Sequence, residues 1–181
     1  MKTRIYQNGI SIRIRVAPDA TPQETCAAQE LGSYLERMTS TAFDAAEADY
    51  DGPVIAIGRA AERYGVSFDG RDDDFLLKTV GENLCIAGGK RGVIYGVYEV
   101  LERLGCRFFT ATCEKVPFAD ELVLEELDEA HSPDFTYREH NYYEPRVYAK
   151  FAVKSRLNGQ QHPISEKYGG HIQYSWFVHS F

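Results

Sequence analysis

The run Gly88-Gly89-Lys90-Arg91-Gly92 constrains what this chain can fold into more than any other feature. Before it lies an apolar stretch, Leu84 to Ala87. After it, Val93, Val97, Val100, Leu101 and Leu104 recur at the spacing of one helical face. Glycine alone combines free choice of φ with room for a close backbone approach, so the run reads as a tight turn from a strand directly into a helix. Gly105 ends that helix. Upstream, Asp74 to Val80 and Leu84 to Ala87 form a hairpin pattern, connected by Gly81-Glu82-Asn83.

The remaining elements follow from period and punctuation. Ile10, Ile12, Ile14 and Val16 alternate with polar residues, which predicts a strand with one wet face, broken at Pro18-Asp19-Ala20. Thr21-Pro22-Gln23-Glu24 is a capping-box opening with Pro at the first helical position. Cys26, Ala27, Leu31, Tyr34, Leu35 and Met38 then mark a buried stripe, with the helix ending near Met38. Val54 to Gly58 is a continuous apolar run, expected as a buried central strand parallel to a neighbour. A short helix from Ala60 to Tyr64 follows and stops at Gly65. Arg107-Phe108-Phe109 reads as a short extended segment, Val116-Pro117 as a turn or edge, and Leu122-Val123-Leu124 as a further strand.

The character of the sequence changes after Ser132-Pro133. Phe135 to Tyr143 is aromatic and extended. Pro145 to Arg156 suits a helix stopped by Asn158-Gly159, and Gly169-Gly170 precedes a second aromatic segment. Those elements are too few for a domain. The expected division is therefore 1–130 as one unit and 131–181 as part of another. The fold class expected is α/β (α+β), with a mixed, mostly antiparallel sheet carrying its helices on one face.

Composition narrows the function. With 181 residues, 44% hydrophobic, the chain is of globular type. A net charge of −7 argues against a broad basic surface for nucleic acid. Its acidic residues, Asp72-Asp73-Asp74 and Glu121 to Glu129 included, read as solvated faces. No apolar run approaches the ~20 residues of a membrane span. Met1 to Tyr6 shows no signal-peptide core, so a cytoplasmic location is expected unless a signal has been removed. Cys26, Cys85, Cys106 and Cys113 lack metal or disulfide spacing and read as free, buried thiols. No cofactor or metal is expected.

The segment from Gly88 to Tyr98, continued by Leu101-Glu102 and Leu104-Gly105-Cys106-Arg107-Phe108-Phe109, resembles the accessory domain that precedes the catalytic barrel in β-hexosaminidases of glycoside hydrolase family 20. It is similar also to the N-terminal domain of the family 67 α-glucuronidases. The early helix with Ala28-Gln29-Glu30-Leu31 and Tyr34-Leu35, the strand ending at Ile57-Gly58 and the hairpin agree in order, so the resemblance covers roughly residues 5–127. The tail resembles the start of the barrel in the bacterial family called domain of unknown function 4838. Pro133 to Arg138 corresponds to the first barrel strand, Arg156-Leu157-Asn158 to the end of the first barrel helix, and Gly169-Gly170-His171 with His179-Ser180-Phe181 to the second loop. The resemblance implies a non-catalytic accessory domain of a hydrolase of complex glycans, bracing a (β/α)₈ barrel of which only the truncated start is present. It places the catalytic carboxylates beyond residue 181, so none is assigned here.

Substrate-binding candidates are Arg138, His140, Asn141 and His179. Arg138 matches an Arg that holds sugar hydroxyls at the end of the first barrel strand, and a guanidinium offers five donors in a fixed fork. The other reading pairs it with Glu139 or Glu144. Tyr142 and Tyr143 are either stacking surfaces for sugar or barrel packing. His171, Trp176 and His179 are weaker candidates of the same kind. Tyr95, Tyr98, Phe108 and Phe109 read as core, and Arg91 as facing the domain interface or pairing with an acid. Two rivals stand beside this reading. A carbohydrate-binding module would show an exposed row of aromatics on the first unit. A phosphate-binding α/β domain would use the N–H groups at Arg91-Gly92. Carbohydrate is the expected partner, reached through the full-length protein, with neither nucleic acid nor membrane. Self-association through 133–181, or disorder there, follows if cut strand edges are exposed.

Overall fold

The computed structural model describes residues 2–173. In chain order the elements are β1 (Lys2–Gln7), β2 (Ile10–Ser11), β3 (Arg13–Arg15), α1 (Pro22–Thr39), β4 (Val54–Ile57), a 3₁₀ segment (Gly58–Tyr64), β5 (Phe75–Val80), β6 (Asn83–Gly88) and α2 (Gly92–Arg103). There follow β7 (Arg107–Phe108), β8 (Glu114–Lys115), β9 (Glu121–Glu125), β10 (Asp128–His131), α3 (Tyr143–Val147), α4 (Ala149–Lys154) and a 3₁₀ turn (Glu166–Tyr168).

A five-stranded sheet in the order β10-β5-β6-β4-β3 carries the fold. Its β10-β5-β6 half is antiparallel, and β4 runs parallel to both β6 and β3. The predicted class, a mixed α/β arrangement, is the one observed. Along the central strands the side chains alternate. Ile55, Ile57, Leu84 and Ile86 join the core beneath α1 and α2. Val54, Ala56, Cys85 and Ala87 face the other way, onto Ala60, Ala61 and Val66 of the 3₁₀ segment and its exit. The two long helices therefore share one face. A fully buried strand needs both faces covered, which is why Val54 to Ile57 is apolar without interruption.

The local chemistry forms α1 as read. Thr21 accepts from the Glu24 amide, and the Glu24 carboxylate accepts from the Thr21 amide. Six residues of its predicted stripe, Cys26 to Met38, are buried. In the hairpin, Gly81 takes φ 59° at the first of two loop residues, the conformation that makes glycine the favoured residue there. Asn83 belongs to β6, where its amide oxygen accepts from the Val54 N–H.

Several expectations need correction. Ile10 to Val16 is not one strand: β2 pairs with β1, while β3 pairs with β4 in the other sheet, and Ile10 is 77% exposed. A period of two fixes which way a side chain points, not which sheet receives it. The missed strand β1 is joined to β2 by Asn8-Gly9, both at positive φ, a turn the sequence signals clearly. Pro145 to Arg156 forms two short helices broken at Tyr148 (φ −108°, ψ 91°). The helical region ends at Lys154, before Asn158-Gly159, with Arg156 at φ 56°.

Pro133 to Arg138 forms no strand. With no neighbouring strand to pair with, its backbone uses residue 158: the Arg138 amide donates to the Asn158 side chain, and the Asn158 amide donates to the Arg138 carbonyl. No closed barrel exists among the described residues. The tail is nonetheless packed, since Ala152, Val153, Leu157, Ile164 and Tyr168 enter the same core as α1 and α2.

Candidate functional site

The hairpin register puts Phe75 opposite Gly88, so the turn before β5 lies against the glycine-rich turn after β6. The Asp72 carbonyl accepts from the amides of Arg91 and Gly92, at 2.8 and 2.7 Å. A side chain on Gly89 or Gly92 would collide with the backbone of residues 71–74. The glycines are therefore packing residues. The N–H groups that a phosphate would need are already occupied, which removes the main support for the phosphate-binding rival.

Asp73 sits at this contact. It was expected on a solvated face; its side chain is 7% exposed. One carboxylate oxygen accepts from Arg91 Nε, and Arg91 is itself buried. The other accepts from Asn158 Nδ2 at 2.7 Å and lies 3.2 Å from Arg138 Nη2. Arg138 is thus paired, but with Asp73 rather than with Glu139 or Glu144. Those two carboxylates accept elsewhere, Glu139 from Tyr137 and the Gln161 amide, Glu144 from the Ala111 amide. Arg138 also donates to the carbonyls of Arg156 and Phe135, each at 2.7 Å, and stands 5.9 Å above the Tyr95 ring. Asn158, with no exposure, completes the junction through the Thr136 carbonyl. Tyr95 is buried beside it; burial, then the Asp73 charge, pushes its hydroxyl up to about 12. Arg91 also donates to the Gly169 carbonyl, so it faces the tail and pairs with acids, as expected.

Two further ion clusters hold the tail. Glu114 meets Arg37 at 2.6 Å, Lys154 at 2.7 Å and the Tyr34 hydroxyl at 2.8 Å. Burial pushes its carboxyl up, but the three donors outweigh that and bring it down to about 2. Arg156 reaches Glu99 and Glu102 on α2 at 2.5 and 2.9 Å.

The candidates do not converge on one cavity. Arg138 lines a space of about 200 Å³ with Asp73, Tyr95, His131 and Arg156. His140 lines a different one of about 400 Å³ with Phe109, Tyr142, Tyr143 and Glu144. Asn141 is exposed and lines neither. His179 and Trp176 lie outside the described residues, and His171 is half-buried beside the Ile164 carbonyl. Tyr95 and Tyr98 are core, as read, whereas Phe109 is 61% exposed. Cys26, Cys85 and Cys106 are buried and free; Cys113 is exposed, contrary to expectation. Among the described residues no group of three or more His, Cys, Asp or Glu could hold a metal ion, and no helix is long and apolar enough to cross a membrane.

A mixed sheet with two helices on one face and a clamped C-terminal segment defines the fold class. No family model matches the chain, and no curated protein matches it. Solved structures do. One is a family GH115 4-O-methyl-α-glucuronidase with specificity for decorated arabinogalactans, at TM-score 0.63 and 14% identity over 93% of this chain. The chain spans 29% of the length of that enzyme. Another is a family GH138 enzyme targeting pectin rhamnogalacturonan II, at TM-score 0.44 and 16% identity over 70% of this chain and 16% of the other. At such identities the likeness is one of fold: this chain has a fold found within a glycoside hydrolase.

Proposed function

We propose that this chain is the non-catalytic front part of a glycoside hydrolase acting on complex glycans, and that its residues 1–130 brace a catalytic unit beginning near residue 131. The Asp73 junction carries the reading. One buried carboxylate from the turn before β5 holds Arg91 of the first unit together with Arg138 and Asn158 of the second. A bracing domain needs such a fixed contact. The fold likeness to the GH115 enzyme spans both units, and the resemblance of Gly88 to Phe109 to the family 20 and 67 accessory domains points the same way. In this reading 131–181 is the start of a barrel like that of the domain of unknown function 4838 family.

Arg138 is then first a junction residue. Its Nε and Nη1 groups are committed to protein acceptors, which leaves little of its fork for a sugar. Its Nη2 is buried beside the Asp73 carboxylate, so it is not open to a sugar either. The test is an activity screen of the full gene product beside the 181-residue chain on aryl glycosides of N-acetylhexosamines, hexoses and uronic acids. Turnover by the longer product alone is expected. Turnover by the 181-residue chain itself would contradict a bracing role.

A further inference from the structure

We propose that the cavity between Phe109 and the His140–Glu144 segment is a carbohydrate-binding site for the ring of a neutral pyranose. The proposal deepens the glycan reading above by giving it a contact site other than Arg138. The cavity is about 400 Å³ and lies where the loop after β7 meets the segment that leads into α3. Clefts at the meeting of two structural units are where ligand sites concentrate.

Its rim is aromatic and open to solvent. Tyr142 is 74% exposed, Tyr143 73% and Phe109 61%. Three such rings around one concavity form a surface that soluble proteins keep exposed chiefly for binding. Polar groups line the same space. His140 Nδ1 accepts from the Tyr142 amide at 3.2 Å, which fixes the neutral ring with its proton on Nε2. That Nε2–H has no partner among the described residues. The Tyr142 ring stands edge-on to the imidazole at 4.7 Å and holds it in place. Glu144 uses one oxygen for the Ala111 amide and keeps acceptor capacity on the other, so the cavity offers both a donor and an acceptor.

A flat ligand with an apolar face and a rim of hydroxyls fits this combination. A pyranose has that form: its C–H face lies on an aromatic ring while its hydroxyls take up the donor and the acceptor. An aliphatic ligand would leave the His140 and Glu144 groups unpaired. The cavity is assembled from both units, because Phe109 comes from the loop after β7 and the rest from beyond residue 139.

The experiment is a titration of the 181-residue chain with cellotriose, xylotriose and galactotriose, followed by backbone amide chemical shifts. Shifts confined to residues 108–111 and 139–145, saturating at millimolar sugar with at least one probe, are expected. Tyr142→Ala and Tyr143→Ala should each weaken binding at least fivefold. Both rings are exposed, so the variants should stay folded. Phe118→Ala, an equally exposed ring outside the cavity, should leave binding unchanged. No shifts at these residues with any of the three sugars would overturn the proposal, as would equal loss on Phe118→Ala. Concentration-dependent self-association abolished by Tyr142→Ala would also overturn it, in favour of a macromolecular occupant. None of these failures touches the bracing reading, which the activity screen tests separately.

Discussion

The Asp73 junction and the His140 cavity both bring residues beyond 135 against earlier parts of the chain, and they are opposite in character. Around Asp73, which is buried with Arg91 and Asn158, the polar groups bond to one another and to nearby carbonyls. Around His140 the rings face solvent, and a donor is left over. Buried charge survives only when paired, so the first region is fixed by its own energetics. Exposed aromatic surface has no such internal use. Chemistry that looks functional in a sequence, a lone Arg after an aromatic strand pattern, can therefore be structural. Tyrosines that look like packing can be the open surface.

The sharpest way to break this contrast is Asp73→Ala. It leaves Arg91 and Asn158, both buried, and the half-buried Arg138 without their shared acceptor, and a cost of about 3–5 kcal/mol is expected from urea unfolding. A cost below about 1 kcal/mol, the level of an exposed ion pair, would mean that the junction is solvated.

Acid supplies the next effect. Glu114 has its carboxyl held at about 2, below the ordinary 4.5. Its contribution is present above the unfolded value and is lost as pH falls from about 4.5 through about 2. The shift corresponds to about 3 kcal/mol at most. Urea midpoints should fall over that window in the wild type, and the Glu114→Gln variant should show a shallower acid limb.

A smaller loss, about 1 kcal/mol, is expected for Thr21→Ala, which removes the N-cap of α1 on the side of the molecule remote in sequence from the tail. Smallest of all, Tyr143→Ala should change stability by no more than about 0.5 kcal/mol, since its ring is largely in water. A large loss there would return the tyrosines to the packing reading.

What the sequence made legible was local. The α1 cap and stripe, the buried run Val54 to Ile57 and the turn into α2 follow from short-range rules, and the structure has them. The strand β1 is equally local, and Asn8-Gly9 is its signal. Partners distant in sequence were not legible. Nothing near Asp73 distinguishes it from Asp72 and Asp74; it is buried because residue 158 and residue 91 close over it. The same holds for Arg138, whose acceptor lies 65 positions away in the chain rather than one or six. The pairing of β2 and β3 with different sheets is likewise a long-range fact.

Amide hydrogen exchange on the wild type and on Asp73→Ala tests the central claim most directly: that the described residues are one body locked at Asp73. The account predicts that the amides of Leu157 and Asn158 open with the same free energy as those of Leu84 to Ala87, and that all fall together in the variant. Opening of residues 150–158 at a much lower free energy than β6, unchanged by Asp73→Ala, would contradict it.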